Sequence, residues 1–191
     1  MKIGLDFDDV IAHLFEQLLE FYNSKKGKNH TLDELIEYDL WVNWNIPKEE
    51  AMELINEFHE TQEVETTKPI ENAIESIFKI LHNGDKLWII TARHPRFKHK
   101  VEDFIEHHFR GKRIEVITTR DFKPEQHLKK FQICKELDIE IMIEDSGKNA
   151  LECAKAGIKV ILFDKPWNKN FEHENITRVN GWKEAIKILQ N

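Results

Sequence analysis

Short apolar segments alternate along this chain with segments of helical periodicity, and this alternation constrains the fold more than any other feature. The helical segments carry apolar residues three and four positions apart, as in Ile74, Ile77 and Leu81. Such alternation is typical of a parallel sheet with helices on both faces. We therefore predict an α/β fold whose strands lie at Ile3–Phe7, Leu87–Thr91, Ile114–Thr118, Ile141–Ile143 and Val160–Phe163.

The connection between the first two predicted strands is too long for a simple crossover. Roughly eighty residues separate Phe7 from Leu87, whereas loops longer than about 12–15 residues are uncommon in compact domains. Helical patterns occupy this connection at His13–Tyr22, Leu32–Ile36 and Lys48–His59. We predict that residues 16–70 form a small helical cap inserted after strand one. Residues 1–15 and 71–191 would form the core domain.

Composition is that of a soluble globular protein with one hydrophobic core. The chain has 191 residues, of which 40% are hydrophobic and 33% are charged. Its apolar runs are shorter than a signal peptide or a membrane span, so we expect neither secretion nor membrane insertion. Cys134 and Cys153 fall at apolar positions of predicted helices, which indicates buried thiols and a cytoplasmic protein. The net charge of −7 argues against a nucleic-acid polymer as partner.

Acidic residues follow two of the predicted strands at the edge where open α/β sheets bind their ligands. Asp6 and Asp8 end the first strand, and Asp145 follows the fourth. Alternate residues of a strand point to the same side, so the carboxylates of Asp6 and Asp8 are expected to converge. Carboxylates held so close repel each other unless a hard cation neutralises them, and Mg²⁺ prefers oxygen ligands. We predict a Mg²⁺ site formed by Asp6, Asp8 and Asp145.

Four motifs occur in a fixed order at these strand ends, namely Asp-x-Asp, a Thr, a Lys and an acidic pair. The matching residues are Asp6, Asp8, Thr91, Lys130, Glu144 and Asp145. Taken singly, each motif has an ordinary structural alternative. The Asp-x-Asp motif could be a solvated turn and the Thr a strand residue, while the Lys could be a surface charge beside Lys129 and the acidic pair a helix N-cap. Together they resemble the haloacid dehalogenase (HAD) superfamily of phosphatases over essentially the whole chain. The resemblance implies a Rossmann-like core with a helical cap after strand one.

Carried over to these positions, the resemblance also implies a phosphohydrolase with a covalent intermediate. Asp6 would attack phosphorus to form an aspartyl-phosphate, which water then hydrolyses. Asp8 would protonate the leaving oxygen and later activate the water. Thr91 would hydrogen-bond a phosphoryl oxygen, and Lys130 would neutralise charge on the nucleophile and the phosphate. The family also binds Mg²⁺ through the main-chain carbonyl at the Asp8 position.

Within this superfamily the chain is most similar to the cytosolic 5′(3′)-deoxyribonucleotidases and their bacterial and archaeal relatives. The similarity is carried by Ile141–Ser146 and by Val160–Asn168. It implies a nucleoside or deoxynucleoside monophosphate as substrate. The animal enzymes have Thr-Ser-Pro where this chain has Thr-Ala-Arg at 91–93, and Gly where it has Asp9. Another small phosphate ester, such as a sugar phosphate, therefore stays an alternative substrate.

Aromatic residues in and beside the predicted cap are candidates for stacking on a nucleobase. They are Phe15, Trp41 and Trp44, and packing inside the cap is the alternative for the two tryptophans. Arg93 is a candidate for binding the phosphate or a substrate hydroxyl, with a solvated strand-end charge as its alternative. Whether the chain forms a homodimer is left open.

A receiver-like phospho-Asp signalling domain is the alternative from another functional class. Receivers also combine strand-end acids with a Thr, a Lys and Mg²⁺. Their phospho-acceptor Asp lies on the middle strand, whereas the third predicted strand here runs into Ile117–Arg120 without a carboxylate. The order of the motifs therefore favours the hydrolase.

Overall fold

The strands form one parallel sheet across residues 1–63, 66–123 and 127–190, which the computed structural model describes. The strands are β1 (Lys2–Leu5), β2 (Lys86–Thr91), β3 (Glu115–Thr118), β4 (Ile141–Glu144), β5 (Lys159–Phe163) and β6 (Ile176–Val179). Their order across the sheet is β3-β2-β1-β4-β5-β6, and every neighbouring pair is parallel. The predicted α/β fold with a Rossmann-like parallel sheet is confirmed.

Helices cover both faces of this sheet. They are α1 (Phe15–Lys26), α2 (Leu40–Trp44), α3 (Lys48–Thr61), α4 (Ala73–His82), α5 (Lys98–Phe109), α6 (Lys130–Glu136), α7 (Gly147–Lys155) and α8 (Trp182–Leu189). Helices α4, α5 and α8 pack on one face, and α6 and α7 pack on the other. Side chains alternate between the two cores, so Ile141 and Ile143 enter the first and Met142 enters the second. Burial on both faces explains the continuous apolar runs of the central strands.

Several predicted boundaries differ from those of the structure. Strand β1 ends at Leu5 and not at Phe7, so Asp6 lies just beyond the strand. The predicted helix at Leu32–Ile36 is a single 3₁₀ turn, Leu32–Glu34. Strand β6 was not predicted, because it is short and lies at the edge of the sheet with an exposed middle.

A third cluster of buried apolar residues, the α1–α3 cluster, lies apart from the two sheet cores. Its members include Leu18, Tyr22, Trp44, Leu54, Phe58 and, from the C-terminal half of the chain, Trp167. Its helices stem from the long connection between β1 and β2. The assignment of residues 16–70 to a separate cap domain stays a prediction.

Two further sequence features can be followed in the structure. Cys134 and Cys153 are both buried and form no disulfide, as predicted. In the described part of the chain, no helix is long and apolar enough to cross a membrane.

Candidate active site

Lys130 joins two carboxylates at the carboxyl edge of the central strands. Its Nζ lies 2.5 Å from Oδ2 of Asp6, which follows β1, and 3.0 Å from Oε2 of Glu144, the last residue of β4. All three residues are at most 3% exposed. Lys129 is largely exposed and pairs with Glu152 instead. The structure thus brings Lys130, and not its neighbour, to the predicted nucleophile.

A third carboxylate completes a buried acidic group, which consists of Asp6, Glu144 and Asp145. Each residue offers an oxygen, and these three oxygens lie within 4.8 Å of one another. Burial, reinforced by the charge of Glu144, raises the pKa of Asp6 and that of Asp145 well above their ordinary values. Burial alone would lower the pKa of Lys130, but Asp6 and Glu144 outweigh it and raise this pKa, so Lys130 is charged.

One ammonium group cannot balance the charge of three buried carboxylates, and a divalent cation would balance the negative charge that is left. Oδ1 of Asp145 is buried and has no hydrogen-bond partner among the described residues. Glu144, by contrast, also accepts hydrogen bonds from the backbone N–H of Ser146 and from Nδ2 of Asn149, both at 3.2 Å. An unpaired carboxylate oxygen within a buried acidic group is the kind of ligand that hard cations bind. Asp6 and Asp145 are therefore the side chains best placed to hold such an ion.

The carboxylate of Asp8 is bound by Arg93. Nε of Arg93 donates to both carboxylate oxygens at 2.9 and 3.1 Å, and Nη2 donates to Oδ1 at 2.6 Å. Nη1 of Arg93 donates to Oε1 of Gln62 at 3.0 Å, and the guanidinium lies 4.8 Å from the ring centroid of Phe7. Burial alone would raise the pKa of Asp8, but Arg93 outweighs it and lowers this pKa.

Two expectations from the sequence are corrected by this ion pair. Arg93 is only 6% exposed, so it is not a solvated charge. The carboxylate of Asp8 does not join the acidic group of Asp6, because β1 ends at Leu5 and the alternation of side chains along a strand does not extend to Asp8. Among the described residues, the side chains grouped closely enough to hold a metal are therefore Asp6, Glu144 and Asp145, without the predicted Asp8.

Thr91 and Asp9 hold the backbone around the site. Thr91 ends β2 and is fully buried, and its Oγ1 accepts a hydrogen bond from the backbone N–H of Arg93 at 3.1 Å. Its hydroxyl proton remains able to donate. Asp9 has a φ of 54°, in the left-handed region where glycine is common, which is compatible with the Gly that the resemblance implies at this position. Its Oδ2 accepts from the N–H of Phe15 at 3.0 Å and caps α1, and burial raises its pKa to about 6.

A cavity of about 350 Å³ opens beside Asp8 and Arg93. Four aromatic side chains line it, namely Phe15, Tyr38, Trp41 and Phe97. Its polar lining includes Asn56, His59 and Arg120. The cavity is thus largely apolar, with polar groups at a few positions, as is usual for small-molecule sites.

Trp44 does not line this cavity. Its ring stacks on Tyr22 with the centroids 4.0 Å apart and the planes at 3°, inside the α1–α3 cluster. The structure therefore places Trp44 among packing residues, which is the alternative that the sequence left open for it, and away from the cavity. Trp41, three residues earlier, does face the cavity and keeps the predicted position.

Two residues near the end of α3 were missed at the sequence level. His59 lines the cavity, and Gln62 binds Arg93. Burial, reinforced by the positive charge of Arg93, lowers the pKa of His59 to about 3. Nζ of Lys100 donates to the carbonyl oxygens of Glu60 and Gln62 at 3.0 and 2.5 Å, which ties this end of α3 to α5. The sequence does carry one signal for these two polar residues. They lie three positions apart, at the point where the apolar face of α3 ends.

Comparison with known proteins identifies the family of this chain. The model of the family described as "5′ nucleotidase, deoxy (Pyrimidine), cytosolic type C protein" matches residues 1–191. The protein YqfW of Bacillus subtilis, named as a candidate nucleotidase, is 28% identical over 100% of this chain and 94% of its own length.

Solved structures of HAD hydrolases share the fold. Protein SP0104 of Streptococcus pneumoniae, a haloacid dehalogenase-like hydrolase, superposes with a TM-score of 0.70 at 13% identity and covers 99% of this chain and 98% of its own. A HAD family hydrolase of Deinococcus radiodurans R1, solved with bound phosphate and sodium, has a TM-score of 0.68 at 14% identity and covers 98% and 94%. This chain belongs to the cytosolic type C 5′ nucleotidase family, is a hydrolase of the phosphatase or nucleotidase type, and has the fold of HAD hydrolases.

Proposed function

We propose that this enzyme hydrolyses nucleoside or deoxynucleoside monophosphates with Mg²⁺, through an aspartyl-phosphate formed on Asp6. The observation that carries the proposal is the buried contact of Lys130 with Asp6 beside the unpaired oxygen of Asp145. A carboxylate that is oriented by a buried ammonium group, next to an oxygen suited to bind a cation, is arranged for attack on an anionic phosphate.

The residues around Asp6 support its role as nucleophile. Oδ2 of Asp6 contacts Lys130, and Oδ1 accepts the N–H of Phe7 at 2.7 Å, so the carboxylate is held at both oxygens. In the first step a carboxylate oxygen bonds to phosphorus, and the bond to the leaving oxygen breaks. In the second step water attacks the aspartyl-phosphate, which releases inorganic phosphate and restores the carboxylate. Thr91 would donate its hydroxyl proton to a phosphoryl oxygen.

Asp8 is the proposed acid and base, and its ion pair with Arg93 determines whether it can carry a proton. An acid must carry a proton in the first step, whereas the ion pair with Arg93 keeps Asp8 ionised. A guanidinium group binds phosphoryl oxygens as readily as it binds a carboxylate. We infer that the arriving phosphate binds Arg93 in place of Asp8, so that the freed Asp8 carboxylate takes up a proton from solvent. Asp8 then gives this proton to the leaving oxygen and regains one from the attacking water.

Asp6 and Asp145 are the proposed side-chain ligands of Mg²⁺, with the main-chain carbonyl of Asp8 as the ligand implied by the family. The fit rests on the unpaired Oδ1 of Asp145 and on the excess of negative charge in the acidic group. When bound, Mg²⁺ supplies positive charge that offsets the carboxylates and the phosphate.

The cavity supports a nucleoside as the leaving group. Its volume of about 350 Å³ lies at the lower end of the ~300–1,000 Å³ of ligand sites, and four aromatic rings line it. Planar bases stack on such rings, whereas a sugar phosphate presents mostly hydroxyl groups. Trp41 and Phe15 are the proposed stacking residues. The cap at 16–70 and the cytoplasmic location stay predictions, and the homodimer stays open.

A phosphate-release screen tests the proposal. The substrates are nucleoside and deoxynucleoside monophosphates, sugar phosphates and phosphoserine, each with Mg²⁺ or with EDTA. We expect release from the nucleotides with Mg²⁺, loss of release with EDTA, and no release from any substrate by Asp6→Asn. Asp138→Asn is the matched control, because Asp138 is exposed and its positive φ suits asparagine.

Four outcomes would contradict parts of the proposal. Undiminished release by Asp6→Asn would exclude Asp6 as nucleophile, and full activity in EDTA would exclude the cation. A sugar phosphate preferred over every nucleotide would overturn the substrate class. A long-lived phospho-Asp without turnover would instead favour the receiver-like alternative.

A further inference from the structure

Trp167 hydrogen-bonds to one carboxylate of the acidic group. It lies in the 3₁₀ turn Pro166–Asn168 after β5 and is 3% exposed. Its indole Nε1 donates to Oδ2 of Asp145 at 3.0 Å, while Oδ1 of the same carboxylate is unpaired within the described residues. The indole therefore fixes the rotation of this carboxylate and leaves one oxygen for another ligand.

The turn that carries Trp167 is itself held firmly. Nδ2 of Asn168 donates to the backbone carbonyls of Asp145 at 2.6 Å and Phe163 at 2.7 Å. Nη1 of Arg178 donates to Oδ1 of Asn168 at 2.6 Å, and Asn168 is fully buried. These bonds tie the turn to the ends of β4 and β5, so the indole has a defined position relative to Asp145.

The other side of the indole supports the cavity. The centroid of the Trp167 ring lies 4.4 Å from that of Phe15, which lines the cavity, and Trp167 belongs to the α1–α3 cluster. A single side chain therefore contacts both the acidic group and a wall of the substrate cavity.

We propose that Trp167 is a positioning residue whose indole N–H orients Asp145 for a divalent cation while its ring supports Phe15 on the cavity wall. The inference rests on the proposed function, because it takes Asp145 as a cation ligand. Groups that hydrogen-bond a metal ligand typically contribute about 10–100-fold to metal affinity, since without them the ligand rotates away from the ion.

Calorimetric titration of the substrate-free protein with Mg²⁺ tests the role of the N–H. Trp167→Phe removes the donor and keeps an aromatic ring against Phe15. We expect the variant to bind Mg²⁺ about 10–100-fold more weakly than the wild type. Its KM for nucleotide at saturating Mg²⁺ should stay unchanged, because the ring contact remains. Trp88→Phe, a partly buried tryptophan of β2 in the core beneath α6 and α7, is the matched control and should bind Mg²⁺ normally.

A second measurement uses the wild type alone and so does not depend on the folding of a variant. The chain has five tryptophans, and each gives one indole N–H signal in a ¹H–¹⁵N spectrum. The Trp167 signal is assigned in the wild type through its contacts with neighbouring protons such as those of Phe15, and it should move with the same Mg²⁺ midpoint as the calorimetric binding.

The outcomes separate this inference from the proposed function. A wild type that binds no Mg²⁺ would overturn the cation and the role of Trp167 together. A wild type that binds Mg²⁺ while the Trp167 indole signal stays unmoved, or a folded Trp167→Phe with unchanged Mg²⁺ affinity, would overturn the role of Trp167 alone.

Discussion

His59 makes the stability of this protein depend on pH in a way that can be isolated. The side chain is 5% exposed and packs 5.2 Å from the ring centroid of Phe97, and its Nδ1 lacks a hydrogen-bond partner in the described chain. Burial, with Arg93 nearby, lowers its pKa from 6.5 to about 3. At a pH between these two values only the unfolded chain binds a proton at this position. The contribution of His59 to the free energy of unfolding is therefore fully present above pH 6.5 and is lost as the pH falls towards 3.

The size of the effect follows from these two pKa values. At about pH 5 the imidazole is still neutral in the folded protein. In the unfolded chain the pH is then roughly 1.5 units below the ordinary pKa of the imidazole, so the imidazole is almost fully protonated there. At about 1.4 kcal/mol per unit, the free energy of unfolding should fall by about 2 kcal/mol between about pH 7 and about pH 5. In His59→Phe this contribution is absent.

Urea unfolding of the wild type and His59→Phe at both pH values, in EDTA, measures the difference. The raised pKa of Asp9 acts in the opposite direction, but Asp9 is present in both proteins and cancels. His99→Phe, at an exposed position of α5, should behave like the wild type. If His59→Phe lost as much stability as the wild type on acidification, His59 would not be the buried neutral group that the structure describes.

Two pairs of neighbouring residues give further predictions. Lys130→Met should lower the free energy of unfolding by about 3–5 kcal/mol, because it leaves the buried Asp6 unpaired, whereas Lys129→Met should change it by at most about 1 kcal/mol in the same urea titration. Equal losses would contradict the burial of Lys130. Trp44→Ala should destabilise the fold by about 3–5 kcal/mol without raising the KM of the folded protein, whereas Trp41→Ala should raise KM roughly tenfold through lost stacking of about 1–3 kcal/mol. A higher KM for Trp44→Ala alone would contradict its role in packing.

The central strands could be predicted from the sequence, and the edge strand could not. Parallel strands that are buried on both faces must be apolar throughout, which makes a run such as Val160–Phe163 easy to recognise. Strand β6 pairs only with β5, and its middle residues Thr177 and Arg178 are not buried. Its β-branched residues were the only signal, and such short patterns also occur in loops.

The site was predictable where it depends on strand ends and not where it depends on distant contacts. Topology alone brings the ends of β1 and β4 together, so Asp6 and Asp145 could be placed from the motif order. The pairing of Arg93 with Asp8 joins residues from two distant segments, and no local pattern encodes it. Positions three apart on a helix share a face, so periodicity also cannot separate a cavity-lining tryptophan from a packed one.

The central position of β1 has a consequence for folding. This strand pairs with β2 on one side and with β4 on the other, and both partners lie far along the chain. Contacts of long sequence separation form slowly, because the entropy of closing the loop must be lost before the contact is gained. Asp6 therefore acquires Asp145 as a neighbour only when β4, which is far along the chain, has paired with β1. A chain that is still being synthesised cannot hydrolyse phosphate esters until β4 has docked beside β1.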